Sequence, residues 1–161
     1  MANGEYLHMY TDGSVIDHAW AGCSFVYLEH GNIWQGTSIA LGRLPDITMA
    51  ELHGIDAALF FALNCHEETP VERVDIYTDC KRAVQLIASY KLDGTECVLG
   101  KGIVASIEVL ESNGIAVSIV WIKGHSDIAG NDEADRLAVM GARESIHRAQ
   151  QELSGKASQT G

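Results

Sequence analysis

A chain of 161 residues, 47% of them hydrophobic, suits one globular domain with a sizeable core and excludes a disordered chain. No apolar run approaches the roughly 18 residues needed to span a membrane. The formal net charge of −11 tells against a strong intrinsic grip on nucleic acid, which rests on basic groups facing phosphates.

The N-terminal Met1-Ala-Asn-Gly-Glu5 lacks the basic and apolar regions of a signal peptide, so a cytoplasmic location is expected. Residues 5–12 alternate in polarity and predict a first strand, with Gly13-Ser14 turning the chain after Asp12. Residues 21–29 predict a second strand, His30-Gly31-Asn32 a hairpin, and 33–40 a third strand ending before Gly42 and Pro45. Thr48 then opens a long apolar helix to about Asn64, with Ala50, Leu52, Ile55, Leu59 and Leu63 as core candidates.

Residues 73–78 predict a fourth strand and 80–89 a helix with Val84, Leu86 and Ile87. A turn-rich piece from Tyr90 to Gly102 precedes an amphipathic helix marked by Leu99, Ile103, Ile107 and Leu110. Residues 115–122 predict a fifth strand, 123–130 a loop, and Asn131 the start of a last helix. The order βββαβααβα predicts an α/β fold, a five-stranded mixed sheet flanked by helices. Residues 1–152 are read as one domain and 153–161 as a disordered C-terminal tail. Cys23, Cys65, Cys80 and Cys97 lack Cys-x-x-Cys spacing, and the histidines lack His-x-x-x-His spacing, which argues against zinc.

Four acidic residues stand out. Asp12 and Asp79 each end a strand-like run, whereas Glu51 and Asp135 sit in helix-like runs. Converging carboxylates are the preferred ligands of hard cations such as Mg²⁺, and paired ions about 3.5–4 Å apart hydrolyse phosphodiesters. Each residue also has a plain structural reading. Asp12 before Gly-Ser suits a turn, Thr48-x-x-Glu51 matches a helix capping box, Asp79 suits a helix N-cap, and Asp135 suits a solvated charged face. His125, in a Gly-rich loop, suits a surface residue.

Together, Tyr-Thr-Asp12-Gly-Ser, Ala-Glu51-Leu, Tyr-Thr-Asp79-Cys and Trp121-Ile-Lys-Gly-His125, running into Gly130-Asn131-Asp-Glu-Ala-Asp135-Arg-Leu-Ala, resemble ribonuclease H of type 1. That family includes the RNase H domains of reverse transcriptases, and the resemblance spans roughly residues 6–142. It implies a metal-dependent endonuclease that cuts the RNA strand of RNA–DNA hybrids, leaving 5′-phosphate and 3′-hydroxyl ends. By position Asp12, Glu51, Asp79 and Asp135 would hold two Mg²⁺ ions, replaceable by Mn²⁺, with Asp12 bridging both. His125 would assist proton transfer or product release, suited by its neutral-range pKa. Gly13, Ser14, Lys81, Arg82, Lys123 and Asn131, beside the carboxylates in sequence, would contact the hybrid.

The chain departs from that pattern in places. Ile47-Thr48-Met49-Ala50 replaces the asparagines that often precede the helix glutamate. Lys81 stands where glutamine is frequent, Asp17-His18 where an asparagine often follows the first motif, and residues 90–102 hold no net charge. These departures predict modest, salt-dependent hybrid affinity, with a fused or separate partner domain strengthening it. The rival readings are a silent nucleic-acid-binding module of the same fold and a related nuclease with another substrate.

Overall fold

The first three strands form an antiparallel meander: β1 (Glu5–Ile16), β2 (Trp20–Glu29) and β3 (Ile33–Arg43). The computed structural model describes residues 5–29, 32–68, 70–93 and 97–159. A helical crossover, α1 (Ile47–Glu68), returns the chain to β4 (Val71–Thr78), which pairs parallel with β1. Two further helices, α2 (Lys81–Asp93) and α3 (Val98–Ser112), lead to β5 (Ala116–Trp121), parallel to β4. The sheet order is β3-β2-β1-β4-β5, and α4 (Ala129–Gln159) closes the chain. The mixed five-stranded α/β architecture and its element order therefore stand as the sequence predicts.

The core lies between the sheet and α1 with α3. Met9, Phe25, Val74 and Ile76 from the strands meet Leu52, Ile55, Leu59, Ile103, Ile107 and Leu110 from the helices. The opposite face of β1–β3 carries α4, which sits unusually close because both surfaces use small residues. A Cβ at Gly22 would lie 2.1 Å from the Ala142 backbone nitrogen, and one at Gly141 would lie 2.4 Å from the Ile39 carbonyl oxygen. Serines hold this seat. Ser24 Oγ donates to the Ala134 carbonyl at 2.6 Å, Ser38 Oγ to that of Leu137 at 2.7 Å, and Ser145 Oγ to that of Ala21 at 2.6 Å. The register of α4, and hence the place of Asp135, is fixed by these contacts.

Five sequence expectations need correction or restriction. The third strand does not end before Gly42 but runs on to Arg43, past a register shift that lets Gly42 pair with Ala21. Gly13-Ser14 is not a turn: β1 continues to Ile16, and the chain reverses at Asp17-His18, whose φ angles of 54° and 52° lie in the left-handed region. Aspartate and histidine are among the non-glycine residues that tolerate that region best. The turn-rich piece 90–102 is mostly helix, with α2 reaching Asp93 and α3 starting at Val98, while 94–96 lie outside the described residues. Gly100 there serves packing, since a Cβ would lie 2.2 Å from the Tyr90 ring. Of the expected hairpin, His30 and Gly31 lie outside the described residues, and Asn32 has φ 61°.

The segment expected as a disordered tail is helical as far as Gln159, and residues 160 and 161 lie outside the described residues. Its side chains from Gln150 onward are exposed, so no core burial signals the helix. Hydroxyls bond back within it, Ser154 Oγ to the Gln150 carbonyl at 3.1 Å and Ser158 Oγ to that of Gly155 at 2.9 Å.

The α4 seat generates a stability prediction. Gly22→Ala drives a methyl into backbone on the helix side, where neither partner can rotate away, so urea melts should show a loss of at least about 2 kcal/mol. Gly155→Ala, where a Cβ meets nothing within 4 Å, should be neutral or slightly stabilising.

Candidate active site

The parallel pairing of β1 with β4 places Tyr10 opposite Tyr77, so Asp12 and Asp79, each two residues further on, emerge side by side. Asp12 pairs with Ser24, and its side chain is 5% exposed. Its neighbour Gly13 points the other way, into α1. A Cβ on Gly13 would lie 2.5 Å from the Glu51 backbone nitrogen, so only glycine lets the first turns of α1 rest against β1. This contact carries Glu51, 4% exposed, up to Asp12.

The capping-box reading of Glu51 gives way to another arrangement. Asp46 Oδ1 accepts the Met49 backbone N–H at 3.2 Å and caps the helix, which starts at Ile47. Glu51 Oε2 is buried without a hydrogen-bond partner. The turn reading of Asp12 fails as well, since β1 runs straight through it. An oxygen from each of Asp12, Glu51 and Asp79 can be chosen so that all lie within 4.8 Å of one another.

Such a cluster resists ionisation. Burial, followed by the charges of Asp12 and then Asp79, pushes the Glu51 carboxyl far above the usual carboxylate range. Burial also raises Asp12, reinforced by Asp79 and Asp135 and opposed by hydrogen bonds from Glu51 and the Gly13 backbone. Asp79 is raised chiefly by burial, against the charge of His125 and a hydrogen bond from Asn131. An orphaned buried carboxylate oxygen beside two further carboxylates is a donor set that fits a hard divalent cation.

Asp135 lies outside this triad, exposed on α4, yet near enough for its charge to raise both Asp12 and Asp79. His125 is exposed in the loop between β5 and α4, with φ 54°, and its charge is felt at Asp79. Gly124 brings that loop in: a Cβ there would lie 2.8 Å from Asp79 Oδ2. Asn131 is buried at the start of α4 and bonds the Asp79 side chain.

The other expected substrate contacts are spread around this centre. Lys81 and Arg82 are exposed at the start of α2, and Lys123 is exposed in the His125 loop. Ser14 is half-buried on β1, while Gly13 is wholly enclosed beneath α1. No individual role for Trp121 or Gly124 could be read from the sequence. Trp121 Nε1 donates to the Asp79 carbonyl at 3.1 Å, and the Lys81 ammonium lies 5.8 Å from its ring centroid. Its place at the end of β5, directly before the loop, was the signal available.

Comparison with known proteins supplies independent findings. The sequence profile of the RNase H family matches residues 4–143. Ribonuclease H1 of Mus musculus is 28% identical over 155 residues, covering 88% of this chain and 52% of the relative. The same figures hold for Ribonuclease H1 of Rattus norvegicus, so the chain spans about half the length of these relatives. Among solved structures, the PFV RNase H domain superposes with a TM-score of 0.68 at 23% identity, covering 88% of this chain and 96% of that one. LC11-RNase H1, solved in complex with an RNA/DNA hybrid, gives 0.68 at 18% identity, covering 87% and 99%.

The raised carboxyls predict a linkage between pH and stability. Asp12 and Glu51 bind protons more tightly folded than unfolded, so their contribution is full below the ordinary carboxylate range of about 4. It declines as pH rises from there through the raised values. In EDTA, Glu51→Gln should therefore melt at a higher temperature than wild type at pH 7, with the gap closing toward pH 4. A gap that stays constant with pH would contradict the assignment.

Proposed function

The chain belongs to the RNase H family, and from that premise we propose that it hydrolyses the RNA strand of RNA–DNA hybrids. The observation that carries this reading is the cluster of buried Asp12 and Glu51 with half-buried Asp79, and its unpartnered Glu51 oxygen. The four carboxylates would hold two Mg²⁺ or Mn²⁺ ions, Asp135 completing the set from the rim. Such ions supply an activated water and neutralise charge on the attacking and leaving oxygens, giving 5′-phosphate and 3′-hydroxyl ends.

The chain's own residues have distinct work. Asp12 and Glu51, pre-set by the Gly13 contact, are rigid ligands whose ionisation, resisted by burial, a cation would favour. Asn131 and the Trp121 indole hold Asp79 from its side-chain and carbonyl ends, respectively. His125 stands on a short loop beside Asp79, placed to exchange protons with solvent and to assist departure of the product. Lys81, braced on Trp121, presents a cation to a backbone phosphate, with Arg82 next to it in sequence and Lys123 exposed in the His125 loop. Contacts to 2′-hydroxyls would distinguish RNA from DNA.

Support for hybrids over other substrates comes from LC11-RNase H1, which shares this fold and was solved with an RNA/DNA hybrid. The net charge of −11 limits the grip on phosphates, so hybrid affinity should be modest and fall further as salt screens the few phosphate contacts. A fused or separate domain would strengthen binding.

The decisive assay is cleavage of a strand-labelled RNA–DNA hybrid at low salt with Mg²⁺ or Mn²⁺, beside RNA–RNA and DNA–DNA duplexes. Cutting should be confined to the RNA strand of the hybrid. Asp12→Asn should lower the rate by about 10³-fold or more, the scale of losing a group that stabilises transition-state charge. His125→Ala should lower kcat by about 10²-fold, with KM little changed. A folded wild type that cuts nothing with either metal would overturn the activity and favour a silent binding module.

A further inference from the structure

Strand β3 is the outer strand of the sheet, and its sequence does nothing to guard that edge. From Ile33 to Gly42 there is no charged residue and no proline. Exposed edges are usually blunted by charge, proline, bulges or a covering segment, because unpaired N–H and C=O groups template a further strand. Here the register shift between β2 and β3 falls at the Leu41 end, so Ile33 to Ala40 pairs regularly with β2 and presents a regular outer edge.

Beside this edge the sheet face turned away from α4 is left partly open. Helix α1 packs on β1 and β2 but stops short of β3. The result is a cleft of about 650 Å³ walled by Phe25, Thr37, Ile39 and Leu41 of the strands and by Phe60 and Phe61 of α1. Phe60 is 68% exposed and Ile33, at the end of the edge, 59% exposed, so large apolar side chains sit in water where nothing among the described residues covers them. The alternate residues Ile33, Gln35, Thr37, Ile39 and Leu41 share this face, while Gly36 and Ser38 face α4.

The surrounding charge is acidic. Glu29 pairs opposite Ile33 at one end, Asp46 follows the strand at the other, and Asp56 lines the cleft with His53. Arg43 is the one cation between Glu29 and Asp46 in the sequence outside the residues not described.

We propose that β3 and its cleft form a docking site for an extended peptide segment of a partner protein, added as a sixth strand, with alternate apolar side chains in the cleft and basic residues at its ends. Main-chain hydrogen bonds along β3 supply affinity, and the two-residue period of a strand drops every second side chain between β3 and α1. Lysine or arginine flanks meet Glu29, Asp46 and Asp56. A second copy of this chain is the poorer occupant, because among the described residues its own β3 carries a basic residue at one end only, Arg43, and it adds another net charge of −11.

The test uses a capped probe peptide, Lys-Thr-Ile-Val-Ile-Val-Thr-Lys, titrated into the ¹⁵N-labelled protein. Shifts should concentrate at β3 and at the α1 residues of the cleft. Thr37→Lys and Phe60→Lys, both at exposed positions away from the carboxylates, should each weaken binding at least about tenfold, with thermal midpoints unchanged. A glutamate-flanked version should bind several-fold less tightly, and one with proline in place of the central valine should not bind. Shifts elsewhere, equal binding by both variants, or no binding at millimolar peptide would overturn the proposal. So would a concentration-dependent dimer in sedimentation that Thr37→Lys abolishes, which would assign the edge to a second copy.

Discussion

Asp12 and Glu51 are two carboxyls held against each other out of water, and the contact that holds them is the missing side chain at Gly13. Were α1 lifted from β1 by a methyl group, Glu51 would move outward, gain solvent and lose its neighbour. The core beneath depends on the same approach, because Leu52, Ile55 and Leu59 follow Glu51 along α1 into the strands. Folding energy from apolar burial thus compels a polar arrangement that the carboxylates alone would reject. Buried carboxyl pairs of this kind mark places built for a ligand more often than places built for stability.

Much of this was legible beforehand, and the reasons differ by element. Strand alternation and helical periodicity are local, so element types and their order could be read directly from residues such as Leu99, Ile103, Ile107 and Leu110. The site carboxylates were legible only jointly. Alone, Glu51 looked like half of a capping box, and nothing local says that Asp46 takes the capping role instead. Gly13 misled for a related reason: a glycine after a strand signals a turn, whereas a glycine beneath a helix signals close packing. The sequence is the same in both cases, and only the partner element decides. Gly100 against Tyr90 repeats that lesson. The helical end of α4 was missed because its exposed residues carry no burial pattern to read.

Local arrangement also tempers the chain's net charge of −11. The acidic residues do not act as one field. Asp12, Glu51 and Asp79 are gathered where cations would neutralise them, and Asp75 is bound by Arg73 Nε at 2.9 Å. Glu133 holds Arg136 at 2.6 Å and Glu144 holds Arg148 at 2.8 Å along α4. Lys81 instead rests on the Trp121 ring near the start of α2, with its charge available to solvent. Net charge therefore overstates repulsion at the centre and understates how few cations remain to grip a long duplex.

The carboxylate cluster and the open β3 edge are set apart by the sheet itself. The carboxylates emerge from the neighbouring strands β1 and β4, whereas β3 lies two places away from β1 with β2 between. Helix α4 covers the β1–β3 face on one side, and the cleft opens on the other. A segment bound along β3 would therefore leave the carboxylates uncovered and would act as a tether, not as an inhibitor. Tethering raises the local concentration of substrate carried by a partner without adding a contact to the centre. For a domain whose own surface offers few cations to phosphate, affinity supplied from a remote edge suits the proposed chemistry better than a more basic rim around the carboxylates, because added cations beside Asp12 and Glu51 would compete with the divalent ions proposed for them.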